Sequence, residues 1–192
     1  MEESCVLSGG IGTEFYKVPQ ERIAVLIGHD GQTRLELERR SGAKVHVDTP
    51  NGEVQVTFKE PEDPLMPIKL GNIIKAVARG FNPDHAFVLF HDDYYYESID
   101  IRDFVGKGKN SLNRIRARLI GREGKTRTLI EDMSECFISI YGHTVALIGQ
   151  DYNMQIGRIA IEMILNGAEH SSVYSFLEHK RAQVKMYRFG FD

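Results

Sequence analysis

Two cysteines in 192 residues, Cys5 and Cys136, are too few and too far apart for a disulfide framework, and their scarcity fits a reducing cytosol. Long apolar runs are missing too. No stretch approaches the roughly 20 residues a bilayer crossing needs. The opening MEESC is acidic where a secretory leader would be basic, so no signal peptide is expected, and the chain reads as intracellular and cytoplasmic. An excess of positive charge is also lacking. The net charge of −3 announces no nucleic-acid binder by itself, although a whole-chain sum can hide a local patch. Metal-ligand spacing is absent: His85, His91, Asp92 and Asp93 match no zinc or two-metal pattern. Ser171, Ser172 and the other serines have neither a nucleophile elbow nor a recognisable base. No cofactor, metal or catalytic constellation is therefore expected, and the chain reads as a non-enzyme. What remains is an ordinary composition, 42% hydrophobic and 27% charged, long enough for one medium domain or two small ones.

The chain repeats itself. "AVLIGHDGQTR" (24–34) and "ARLIGREGKTR" (117–127) align without gaps. After the first copy come an amphipathic stretch, the alternating "AKVHVD", the turn "TPNG", the alternating "EVQVTF" and a helical pattern from Ile68 to Arg79. After the second come a helical stretch from Lys125, "CFISIY", a Gly142-His143 turn, "TVALIG" and a helical pattern from Tyr152 to Leu165. Each copy thus reads strand, helix, Gly-x-x-Gly, helix, strand, strand, helix. The predicted organisation is a flexible tail over 1–13, a first module over 14–81 and a linker helix over 82–93 with Asn82 as N-cap. A second module over 94–168 and a C-terminal helical extension over 169–192 follow.

"GREGKT" invites comparison with a nucleotide-binding P-loop. That motif needs a glycine five residues before the glycine of Gly-Lys-Thr, and the position holds Leu119. The first copy has Gln32 where the P-loop lysine would stand. A helix, a Gly-x-x-Gly and a second helix in this element order are instead the signature of a KH module. The predicted fold class is α+β, two tandem type I KH modules, each a three-stranded sheet on three helices, plus the C-terminal helix. In such a module glycines without Cβ let a nucleic-acid backbone approach, and the next helix offers N–H groups and a partial positive charge.

In the second module Gly121 and Gly124 are the predicted loop, Arg122, Lys125 and Arg127 its phosphate contacts, and Arg116 and Arg118 an extension of the path. Ile120, Ile138 and Ile140 form the predicted base groove. Between Lys107 and Thr128 eight basic residues face one acid, Glu123, a one-signed run around the glycine loop. The first module offers Gly28, His29, Gly31, Gln32 and Arg34, with Ile27, Val45 and Val47 as its groove. Its loop lacks a permanent cation, Asp30 repels phosphate, and the helix beyond mixes Arg39 and Arg40 with Glu36 and Glu38, so weaker binding is expected there. Tyr94, Tyr95 and Tyr96 could stack on bases, but at the start of a strand they are expected instead to pack between the modules.

"LIGREGKTRTLIEDMSECFISIYGHTVALIG", followed by a long helix and "HSSVYSFLE", resembles the archaeal and eukaryotic KH-domain ribosome-assembly factors of the Dim/Krr type. The resemblance covers nearly the whole chain. It implies binding of single-stranded RNA near the 3′ end of small-subunit ribosomal RNA during late maturation. It also implies partnership with the Nob-type endonuclease that trims this end, and it makes the α subunit of initiation factor two a further candidate partner. Eukaryotic members of that family have lost the first Gly-x-x-Gly, whereas Gly28 and Gly31 are retained here. A general messenger-RNA regulator and an adaptor domain of an RNA-processing enzyme are the alternatives.

Overall fold

The computed structural model describes residues 12–59 and 63–188, with the side chains of the last helix described as far as Arg181. Its backbone divides into two compact units, Met1–Phe90 and His91–Asp192. Among the described residues, no helix is long and apolar enough to cross a membrane.

The first unit runs β1 (Thr13–Lys17), α1 (Gln20–Ile27), α2 (Gln32–Ser41), β2 (Lys44–Asp48), β3 (Glu53–Thr57) and α3 (Met66–Ala78). Its antiparallel sheet has the order β1-β3-β2. Alternation along the strands puts Val45 opposite Val56 and Val47 opposite Val54, which gathers these valines on one face. Against that face the helices bury Ile23, Leu26, Leu37, Leu70, Ile73 and Val77.

The predicted tail and linker need comment. Residues 1–11 lie outside the described residues, while Gly12 accepts a hydrogen bond from the Phe58 amide and Thr13 opens β1. The segment expected as a linker helix over 82–93 is a short helix, α4 (Pro83–Ala86), continued by a 3-10 turn at Phe87–Phe90. Asn82 caps it as expected, its side chain accepting from the His85 amide at 2.8 Å. Ala86 and Leu89 are buried and the Arg40 guanidinium lies over the Phe87 and Phe90 rings, so the segment packs as part of the first unit. Its apolar "AFVLF" had to be covered, and a free linker would have left it in water.

The second unit repeats the order: β4 (Tyr94–Asp100), α5 (Arg102–Val105), α6 (Lys109–Ile120), α7 (Lys125–Ser134), β5 (Phe137–Tyr141), β6 (Thr144–Gln150) and α8 (Asp151–Leu165). The sheet order is β4-β6-β5. A further helix, α9 (His170–Arg188), is part of this unit, because its Val173 and Leu177 are fully buried in the core formed by Ile115, Leu119, Ile130 and Ile164. Fully burying two such side chains contributes about 3–6 kcal/mol to docking the helix. One local difference separates the repeats. After α2 the chain turns at Gly42 with φ 67°, whereas after α7 the matching turn is made by Glu135 at φ 54°, a left-handed conformation that costs a non-glycine residue about 1 kcal/mol.

Candidate nucleic-acid interface

Both glycine loops have the same backbone. Gly28, Asp30 and Gly31 sit at φ 77°, 50° and 78°, and Gly121, Glu123 and Gly124 at 74°, 54° and 79°. The two glycines of each loop are required for different reasons. A Cβ on Gly121 would lie 2.3 Å from the Thr126 hydroxyl oxygen, and one on Gly28 would lie 2.2 Å from that of Thr33. The first glycine is therefore needed for packing against the threonine of the repeated Thr-Arg. A Cβ on Gly31 or Gly124 would meet nothing within 4 Å. Those two face open space, into which a nucleic-acid backbone can come. The helices that follow, α2 and α7, start without a side-chain cap; the Gln32 and Lys125 amides bond the His29 and Arg122 carbonyls, and the amides that come next in each first turn are the donors left for an anion.

Beside each loop runs the edge strand of its sheet. Ile27 and Ile120 close the preceding helices and are partly exposed, Val45 and Ile138 are buried, and Val47 and Ile140 are partly exposed. Glu38 accepts from the Val45 amide at 2.9 Å, and Glu131 accepts from the Ile138 amide at 2.8 Å. These amides point away from the ladder, so alternation turns the main-chain groups of Val47 and Ile140 to the same free edge. Sequence reasoning counted Glu38 only as a charge on its helix and did not single out Glu131. The signal was present, since both follow the arginine of Thr-Arg by four residues and pair with it, Arg34 to Glu38 at 3.7 Å and Arg127 to Glu131 at 3.4 Å.

Charge separates the two sites. In the second module Lys107, Lys109, Arg114 and Arg122 are exposed and make no ion pair among the described residues; Arg122 is on the loop itself, Arg114 midway along α6, and Lys107 and Lys109 at the opposite end of that helix. Lys125 has only a loose contact with Glu123, 3.9 Å between groups that are three-quarters exposed, which solvent screens. In the first module the cations of α2 are engaged, those of its last turn, away from the loop, included. Glu36 takes hydrogen bonds from Arg39 and Arg40, and these hold its carboxyl down to about 2. His29 lies against Asp30 at 2.9 Å.

Two family profiles match this arrangement, a eukaryotic-type KH domain (KH-domain type I) over residues 95–182 and a KH domain over 13–63. A KH domain-containing protein of Methanocaldococcus jannaschii is 39% identical over 176 residues, 92% of this chain and 77% of that protein. The crystal structure of Dim2p from Pyrococcus horikoshii is 45% identical with a TM-score of 0.80, covering 87% of this chain and 98% of that one. The chain belongs to the Dim2/PNO1 family of KH-domain proteins. A pre-rRNA-processing protein pno1 of Emericella nidulans is 32% identical over 116 residues, 59% of this chain; the match spans under half, 45%, of that longer protein. A chain in the crystal structure of the a/eIF2alpha–aDim2p–rRNA complex of Pyrococcus horikoshii is 43% identical with a TM-score of 0.84, covering 90% of this chain and 96% of that one.

Within this Dim2/PNO1-type frame, some candidate residues do not stand where expected. Arg118 does not extend a phosphate path. Its guanidinium turns inward, donating to the Ile164 carbonyl at 3.3 Å and to the Ala168 carbonyl, and so closes the end of α8. Arg22 does the same in the first module, donating to the Val77 carbonyl at 2.8 Å and to that of Phe81. The two arginines occupy different positions in the repeat, so the alignment concealed a shared device. Arg116 is half-buried, with its Nε enclosed by protein. Tyr94, Tyr95 and Tyr96 lie on β4, which flanks β6 on the side opposite β5, so they cannot line the groove of Ile138 and Ile140. Gly121, Arg122, Gly124, Lys125 and Arg127 come together on the α6–α7 turn, and Gly28, His29, Gly31, Gln32 and Arg34 on the α1–α2 turn.

Proposed function

We propose that this chain binds single-stranded RNA through its second KH module, as an assembly factor acting near the 3′ end of small-subunit ribosomal RNA during late maturation. One observation carries the reading: two solvent-exposed permanent cations, Arg122 and Lys125, flank a glycine turn whose Gly124 faces open space. Arg122 and Lys125 engage phosphates, the open N–H groups in the first turn of α7 add donors, and bases lie along Ile120, Ile138 and Ile140. Arg127 is shared between phosphate and Glu131. The site consists of glycines and permanent cations, which hold phosphates but do not exchange protons near neutral pH, so the role is non-catalytic. The first module, with its arginines tied to Glu36 and Glu38, contributes a weaker contact or none.

The similarity to pre-rRNA-processing relatives and to the rRNA-bound Dim2p complex supports the ribosomal target. The same similarity supports the α subunit of initiation factor two as a partner. A Nob-type endonuclease, which would cut close to the bound strand, is the second protein partner, and the setting is cytoplasmic. Crosslinking in cells followed by sequencing of the bound RNA tests the target. Reads concentrated at the small-subunit 3′ end are expected, and reads spread over messages would replace this reading with that of a messenger-RNA regulator.

A further inference from the structure

A helical segment follows the last helix of each module, the short α4 with its 3-10 turn in the first and the much longer α9 in the second, and the first turn of α9 lies against both helices that flank the second glycine loop. His170 Nε2 is 3.0 Å from the Arg118 carbonyl oxygen. A carbonyl only accepts, so this nitrogen carries the proton. Arg118 lies in the last turn of α6, where carbonyls have no amide partner within the helix; the neighbouring Ala117 carbonyl is taken by the Gly121 amide at 2.8 Å. One turn along α9, the Tyr174 hydroxyl is 3.0 Å from the Thr126 hydroxyl on the first turn of α7. Thr126 is 3% exposed, and its oxygen is the atom that a Cβ on Gly121 would strike. The His170 and Tyr174 rings stack at 6.0 Å, so the two side chains act as one surface.

We propose that His170 and Tyr174 are positioning residues that hold the Gly121–Gly124 turn in its RNA-binding shape, making α9 a working part of the site. The inference rests on the reading of that turn as an RNA contact. Three left-handed residues within four, two of them glycines, form a turn with much conformational freedom to lose on binding. Hydrogen bonds to the residue three before the turn and to the second residue after it remove that freedom beforehand, which raises affinity without adding a contact to RNA. Thr33, the matching threonine of the first module, has no side-chain hydrogen bond among the described residues.

The test uses the full chain with Tyr174→Phe, which deletes one hydroxyl and leaves Val173 and Leu177 in the core. Amide hydrogen exchange over residues 121–127 should quicken while that over 28–34 does not. Affinity for a short single-stranded RNA should fall about three- to tenfold, the effect of one hydrogen bond. The salt dependence should stay the same, because no phosphate contact is lost. Val173→Ala, which loosens α9 packing but keeps the hydroxyl, separates positioning from stability. If Tyr174→Phe changes neither loop exchange nor affinity, or if affinity follows melting temperature across both variants, the proposal is overturned. Faster loop exchange in a protein that binds no RNA even as wild type would support the positioning role and overturn the RNA reading instead.

Discussion

Gly124→Asp probes the proposed site most directly, because the structure separates what it does to the fold from what it does to binding. Gly124 has φ 79° and ψ 3°, and its missing Cβ would meet nothing within 4 Å. Aspartate is among the side chains that tolerate this left-handed region, so the backbone cost is about 1 kcal/mol, a loss of about 4–8 °C in Tm for a module of this size. Binding suffers more. The new carboxylate stands about 5 Å from where a phosphate would sit, a repulsion of about 1 kcal/mol in a water-like medium and about 3 kcal/mol at an effective dielectric of 20. Affinity should fall roughly 5- to 150-fold. Gly31→Asp is the matched control, with φ 78° and the same open space, so it carries the same backbone cost. Fluorescence anisotropy with a short single strand across a salt series, beside thermal melts of both variants, reads the two effects separately. Unchanged affinity in Gly124→Asp, or an equal loss in Gly31→Asp, would refute the assignment of the second loop as the main RNA contact.

Other expectations follow from the ion-pair map. Lys125→Ala should reduce the slope of log affinity against log salt by about 0.7, one phosphate contact on a single strand, with little change in Tm. Arg118→Ala should do the reverse, lowering Tm with the slope unchanged, because its guanidinium is committed to the Ile164 and Ala168 carbonyls. Glu36→Gln should release Arg39, while Arg40 stays over the Phe87 and Phe90 rings, and so strengthen the first module's RNA contact, measurable as a steeper salt slope in a Gly124→Asp background. In the wild type, the Glu36 carboxyl should titrate near 2 by NMR instead of at its ordinary 4.5. Since folding lowers this value, the stabilisation it brings is complete above 4.5 and is lost as pH falls through about 2.

The element order, the repeat and the loop residues were legible in the sequence because each is written in local signals. Leu-Ile-Gly-x-x-Gly-x-Thr-Arg occurs twice, strand alternation marked Val45, Val47, Ile138 and Ile140 as one face of their strands, and Asn82 announced its cap. The direction of a long side chain was not legible. Arg118 lies two residues from Ile120 inside a basic run, and composition alone counts it with the loop. Its true partners are carbonyls 46 and 50 residues away. The segment over 82–93 was expected as a linker helix; its helix and Asn82 cap are there, but the burial of Ala86 and Leu89 in the first unit depends on a surface that only folding creates.

The sequence by itself thus determined that two copies of one α+β module exist, and where each glycine loop falls. Both are consequences of periodicity and of the backbone freedom that glycine alone supplies. Only the tertiary structure decided which cations are spent. Glu36 pairs with Arg39 and Arg40, the carbonyls at the end of α8 take Arg118, and Arg122 and Lys125 are left to the solvent. It also decided that α9 belongs to the second loop, through the 3.0 Å contacts of His170 and Tyr174. Charge is a property of composition, but the availability of charge depends on geometry, which the packed chain sets.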